Sequence, residues 1–155
     1  VTRNPIRRIK LMKKQYDFTT DRFYNSNHLW IKENDSGHVT VGMDELGLDS
    51  LGEMTYLTLP DVGTAVEMGE AMGTMEAAKM TGELYAPVSG VVVKKNDAVL
   101  KNPLLVNEEP YDNGWLVKIE PTNWEDDSAG MVTGNDLSTW IDAEIERFQT
   151  QGILG

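Results

Sequence analysis

A mainly β fold with peripheral α-helices is predicted by three features of this sequence. Turn residues punctuate it at short intervals from Val62 onward: Gly63, Gly69, Gly73, Gly90, Asn96-Asp97, Asn102-Pro103 and Asn113-Gly114. Between such signals lie brief runs of β-branched and aromatic residues, among them Val91-Val92-Val93 and Trp115-Leu116-Val117-Lys118-Ile119. Sustained helical spacing of apolar residues appears only near the C-terminal end. A small sandwich or barrel fits that density of short strands better than a helix bundle. At 155 residues, the length predicts one domain large enough to bury a core.

The elements follow in order. Residues 1–20 form a basic N-terminal extension, with six basic residues (Arg3, Arg7, Arg8, Lys10, Lys13, Lys14) against Asp17. It reads as a short helix packed on the body, a docking arm or a mobile end, and a partly ordered extension is expected. From Arg22 the folded body begins. Leu29-Trp30-Ile31 and Val39-Thr40-Val41 flank the polar cluster Asn34-Asp35-Ser36-Gly37, which predicts a hairpin. Asp44 can cap a short helix to about Ser50, although Gly47 weakens it, and Gly52 stops it. Met54 to Leu59 is a strand closed by Pro60-Asp61. The central domain spans 21–124, leaving a C-terminal tail at 125–155. There Leu137, Trp140, Ile141, Ile145 and Phe148 fall at helical spacing behind Asn135 or Asp136. Trp140 and Phe148 are expected to pack on the sheet, with Asp142, Glu144, Glu146 and Arg147 on a solvated face.

Charge and composition exclude several functions. The net charge is −11, and the first twenty residues contribute +5, so the remainder carries −16. An acidic body repels phosphates and argues against nucleic acid, while it suits basic faces of partner proteins. The chain has no cysteine, hence no disulfide, thiolate metal site or cysteine nucleophile. Its two histidines, His28 and His38, lie far from any metal-like cluster, and no metal site is expected. No apolar run reaches the length of a membrane span and none resembles a signal-peptide core, so a cytoplasmic location is expected; a monomer is expected as well.

One stretch stands apart. From Gly73 to Gly90 a broken strand rhythm (Met72, Met75) reverses around Lys79 and resumes at Leu84, Tyr85 and Val88. Ala77 and Ala78 add no bulk, so the lysine can stand clear of the surface. Most lysines on hairpins are simply solvated; the surrounding motifs distinguish this one.

Glu76-Ala77-Ala78-Lys79, followed by Glu83-Leu84-Tyr85-Ala86-Pro87-Val88-Ser89-Gly90, is similar to the lipoylation hairpin of the glycine cleavage H-protein family. His28-Leu29-Trp30 resembles that family's early His-x-Trp strand. Val41-Gly42 through Gly47, then Leu51-Gly52-Glu53-Met54, resembles the strand, helix and strand that follow. Leu105-Val106-Asn107-x-x-Pro110-Tyr111-x-x-Gly114-Trp115-Leu116 resembles its late motif. The four motifs run in register from about Phe23 to Trp124.

The resemblance implies a barrel-sandwich hybrid of two small sheets, as in lipoyl and biotinyl carriers, with lipoate in amide linkage to Lys79. It also implies that Glu76 helps a lipoate ligase or lipoyl transferase recognise the hairpin. An exposed lysine is mostly protonated at neutral pH, with an ordinary pKa near ~10.4, so it needs an activated acyl donor and a local base. Once acylated, it roots a flexible arm ending in a disulfide, the only thiol chemistry of a cysteine-free protein. The chain would be a carrier and not an enzyme.

Around the lysine, H proteins usually read Glu-Ser-Val-Lys-Ala-Ala-Ser; this chain departs at Ala77, Ala78 and Met80-Thr81-Gly82. In that it resembles the lipoate-binding proteins of heterodisulfide-reductase-like complexes in sulfur oxidation, and a partner complex of that kind is the first expectation. The alternative is a glycine cleavage carrier, passing an aminomethyl group among glycine decarboxylase, aminomethyltransferase and dihydrolipoyl dehydrogenase. Lys79-Met80 also matches half of the Ala-Met-Lys-Met signature of biotin carriers, a remoter alternative.

Overall fold

The computed structural model describes residues 10–154. Arg3, Arg7 and Arg8 of the basic extension lie outside the described residues. The second half of that extension is a hairpin, β1 (Lys10–Lys13) and β2 (Tyr16–Thr19). Its basic residues obscure a short alternation in which Tyr16 and Phe18 are buried and Asp17 is only half-buried.

Two further sheets make the body. The strands of the larger are β3 (Phe23–Tyr24), β4 (Leu29–Glu33), β5 (Val39–Met43), β7 (Ala65–Val66), β10 (Gly90–Lys95) and β11 (Val117–Pro121). They lie in the order β3-β4-β5-β11-β10-β7, all antiparallel. The smaller sheet has β6 (Met54–Thr58), β8 (Ala71–Ala77) and β9 (Thr81–Tyr85) in the order β6-β8-β9. Between the two lies the main core, where Ile31, Val41, Val92, Val117 and Ile119 meet Leu57 and Leu84. This is the barrel-sandwich arrangement expected.

The predicted hairpin is β4 and β5, with Trp30 opposite Gly42 and Ile31 opposite Val41. Successive side chains of β4 point to opposite faces. Leu29 and Ile31 enter the main core, while Trp30 enters a second cluster with Phe18, Tyr24, Leu46 and Tyr111. A Cβ at residue 42 would come within 2.3 Å of the Trp30 ring, so glycine is required there. The Trp30 indole also donates from Nε1 to the Pro110 carbonyl at 2.9 Å. The early and late sequence motifs are thus in direct contact.

α1 (Glu45–Leu51) starts where expected, with Asp44 Oδ1 accepting from the Gly47 N–H at 2.8 Å. Gly47, an unfavourable helix residue, has a packing cause: a Cβ there would stand 2.7 Å from His28 Cβ. The sequence between β10 and β11 departs from expectation. Asn96-Asp97 and Asn102-Pro103 do not separate strands; they begin two five-residue helices, α2 (Asp97–Lys101) and α3 (Leu104–Glu108). Trp115 and Leu116 likewise precede the last strand rather than opening it.

After α4 (Trp124–Ser128), α5 (Leu137–Thr150) buries Leu137, Ile141, Ile145 and Phe148 in the second cluster. Each such side chain contributes about 1.5–3 kcal/mol, far more than helix propensity differences of tenths. Trp140 stacks on the His28 ring at 5.1 Å. Glu144 does not lie on a solvated face, contrary to expectation: its Oε1 meets His28 Nε2 at 2.8 Å, and its side chain is 12% exposed. No helix among the described residues is long and apolar enough to cross a membrane.

Candidate functional site

The register of β8 with β9 closes at the pair Glu76 and Thr81, and residues 78–80 turn the chain between the strands. A two-residue hairpin turn would ordinarily call for φ > 0. Ala78, Lys79 and Met80 keep ordinary φ values because their turn is closed differently. The Ala77 N–H donates to Met80 O at 2.9 Å, while the Ala78 and Lys79 N–H groups leave the hairpin altogether. They donate to Glu53 O at 2.9 Å and Leu51 O at 2.8 Å, the carbonyls at and just past the end of α1. The tip therefore rests on the C-terminal end of a helix.

The side chain of Lys79 follows the same route. It is exposed, and its Nζ donates to the main-chain carbonyl of Asp49 at 2.8 Å, near the electronegative end of α1. A carbonyl holds the amine by one hydrogen bond and leaves it open to solvent. Gly52, at φ +84, passes beneath the turn; a Cβ there would lie 3.1 Å from Ala78 Cβ and 3.3 Å from Lys79 Cγ. Glu76 is exposed on β8, where its main chain pairs with Tyr56 and Thr81. The hairpin thus carries Lys79 and Glu76 on one stiff support, three residues apart.

Two hollows flank this support. One, of about 240 Å³, lies along β8 and β9 and is lined by Leu29, Met43, Met75, Met80 and Leu84, with Asn27 and Glu83 as polar contributors. The other, of about 440 Å³, lies between α1 and α3 and is edged by the carboxylates of Glu45, Asp49, Glu53 and Glu108. The Lys79 amine itself points toward Asp49, on the edge of the acidic hollow, while its neighbour Met80 lines the apolar one. An aliphatic acyl group on the amine would thus have an apolar surface one residue from its root. Sequence reasoning named the amine but not these walls, which come from residues far apart in the chain. Asn107 and Gly52, which shape the turn's support, also escaped it as site residues, although both sit inside recognised motifs.

Residues 22–144 match the family model of the glycine cleavage H-protein. This chain belongs to the glycine cleavage H-protein family. The H protein of Legionella pneumophila (strain Corby) is 43% identical over 103 residues, covering 66% of this chain and 82% of that protein. An H protein of Thermus thermophilus is 41% identical over 129 residues, covering 83% of this chain and 91% of that protein. The crystal structure of a glycine cleavage system H protein from Mycobacterium marinum superposes with a TM-score of 0.70 at 31% identity, covering 79% of this chain and 98% of that one.

H proteins carry lipoate covalently on a lysine, so lipoate is the cofactor. The sulfur-oxidation expectation is corrected here, because the family and its relatives support the glycine cleavage reading instead. The features behind it are Ala77, Ala78 and Met80-Thr81-Gly82 around the lysine, with the basic extension before Tyr16 and the tail after Asn123. Ala78 and Met80 are exposed at the turn, where side chains can change without touching the core.

Proposed function

We propose that this protein is the lipoyl carrier of a glycine cleavage system and that Lys79 is the attachment residue. The observation that carries the reading is the placement of the Lys79 amine at an exposed strand reversal, held by a carbonyl and open to an acyl donor. In the modification step, Nζ forms an amide with an activated lipoyl carbonyl. The activating group leaves with its electron pair, and the amine's surplus protons pass to a base of the ligase or transferase. The bound group supplies a redox-active disulfide on a flexible tether.

The chain's own residues do the rest. Rigid β8 and β9 fix the root of the arm, and Glu76 on the same strand gives the modifying enzyme a carboxylate to read. The apolar groove of Met43, Met75 and Met80 offers the arm a resting place out of water. The acidic cleft beside α1 favours basic faces on partner enzymes. Those partners are glycine decarboxylase, aminomethyltransferase and dihydrolipoyl dehydrogenase, and tethering raises the effective concentration of the disulfide at each. The protein performs no catalysis itself.

A reconstituted assay tests this directly. Lipoylated protein added to glycine decarboxylase, aminomethyltransferase and dihydrolipoyl dehydrogenase, with tetrahydrofolate to accept the one-carbon unit and NAD as oxidant, should support glycine-dependent reduction of NAD. No turnover above the carrier-free control would reject the assignment.

A further inference from the structure

The hairpin tip is held by a segment that is itself held by one side chain. Residues 51–54 supply the carbonyls of Leu51 and Glu53 that receive the Lys79 and Ala78 N–H groups. This segment leaves α1 through Gly52 and reaches β6 at Met54. Asn107, on the short helix α3, grips it at both ends. Its Oδ1 accepts from the Met54 N–H at 2.8 Å, and its Nδ2 donates to Gly52 O at 3.0 Å. A side-chain amide that both accepts and donates in this way imitates the reciprocal pair a neighbouring strand would provide.

We infer that Asn107 is a positioning residue for the modification of Lys79, acting through the Gly52–Met54 main chain. The inference rests on the reading of Lys79 as the attachment site. Asn107 does not touch the lysine. It fixes Gly52 and Met54, which fix the carbonyls of Leu51 and Glu53, which fix the tip's two N–H groups and so the root of the amine. Little room exists along this route, because a Cβ added at Gly52 would stand only 3.1 Å from Ala78 Cβ and 3.3 Å from Lys79 Cγ. Without the clamp, the segment loses the partners of one donor and one acceptor, and the tip drifts. Small misplacements of a reacting group cost far more in rate than in stability. The late motif therefore contributes to the modification site, through a bridge more than fifty residues long in sequence, and not only to the fold.

The test compares Asn107→Ala with Val106→Ala, which opens a cavity on the same helix but keeps the Asn107 amide and its two hydrogen bonds. In the unmodified protein, amide hydrogen exchange at Ala78 and Lys79 should quicken about tenfold or more in Asn107→Ala. Exchange at Val92 and Ile119 in the large sheet should stay at the wild-type rate. With lipoate ligase, kcat/KM for Asn107→Ala should fall about tenfold or more, while Val106→Ala keeps the wild-type value even where its Tm is lower. Unchanged exchange at the tip, or a transfer rate that tracks Tm equally in both variants, would overturn the inference. Should the wild-type protein accept no lipoyl group on Lys79, the attachment reading fails, and the exchange measurement still decides whether the clamp exists.

Discussion

His28 and Asp44 meet at the start of α1, with imidazole Nδ1 2.7 Å from a carboxylate oxygen of Asp44. The other ring nitrogen faces Glu144 of α5 at 2.8 Å. Carboxylates accept, so two such contacts are satisfied only when both ring nitrogens carry protons. Burial pulls the imidazole pKa down, but the charge and hydrogen bonds of Asp44 and Glu144 outweigh it and hold the pKa above 6.5. Glu144 is drawn below its usual range by Arg147 and then by His28, against a burial effect of opposite sign.

The sign of the pH dependence follows. A raised folded-state pKa means that His28 contributes stability fully below pH 6.5 and loses it as pH climbs through the folded value. For Glu144 the contribution is present above pH 4.5 and fades as pH falls through its lowered folded value. Urea melts should therefore show a loss of stability on the alkaline side of pH 6.5, reduced in Glu144→Gln. His28→Ala, which leaves Asp44 buried without its partner, should cost about 3–5 kcal/mol. A flat profile in the wild type, or an unchanged one in Glu144→Gln, would contradict the charged bridge.

Gly47→Ala sets two effects against each other. Alanine gains about 1 kcal/mol of helix propensity over glycine. The new methyl would stand 2.7 Å from His28 Cβ, closer than such atoms ever sit, and overpacking of this kind costs about 1–3 kcal/mol. A net loss of up to about 2 kcal/mol is expected, read as a lower urea midpoint. A stabilised variant would show that the His28 backbone yields easily.

Much of this architecture was legible in the sequence, for reasons that also explain the rest. The β4–β5 hairpin and the Asp44 cap announce themselves by alternation and turn chemistry within a few residues, whereas Ala78-Lys79-Met80 holds no turn residue and the Lys79 reversal is marked by the motifs around it. α2 and α3 are five residues each, too short to display a helical period, and their Asn and Pro residues look like turns. Glu144 carried an unread signal. It lies three residues after Ile141 and four before Phe148, on the stripe that packs inward, where a carboxylate needs a partner. The clamp of Asn107 on Gly52 and Met54 has no local trace, since its ends lie 55 and 53 residues away. The groove beside β8 and β9 was hidden for the same reason.

The acidic body should make partner docking salt-dependent. Charges across an exposed interface are screened over about 10 Å at 0.1 M salt and about 3 Å at 1 M. With −16 on the chain beyond residue 20, the KM of glycine decarboxylase for this carrier should rise with sodium chloride. A KM insensitive to salt would count against electrostatic docking.

Lys79→Arg keeps a cation that can still donate toward the Asp49 carbonyl, but a guanidinium is not acylated by the ligase. The surface position predicts a change in stability within about 0.5 kcal/mol. Circular dichroism and melting should match the wild type while lipoate incorporation disappears. Incorporation that survives would place the site elsewhere.

The most direct measurement is the intact mass of the wild-type protein made in its native cell, followed by peptide mapping. One lipoyl group in amide linkage on Lys79 is expected. A biotinyl group, a lipoyl group on another lysine, or a bare Lys79 under conditions where the cell's other lipoyl proteins are fully modified would contradict the assignment.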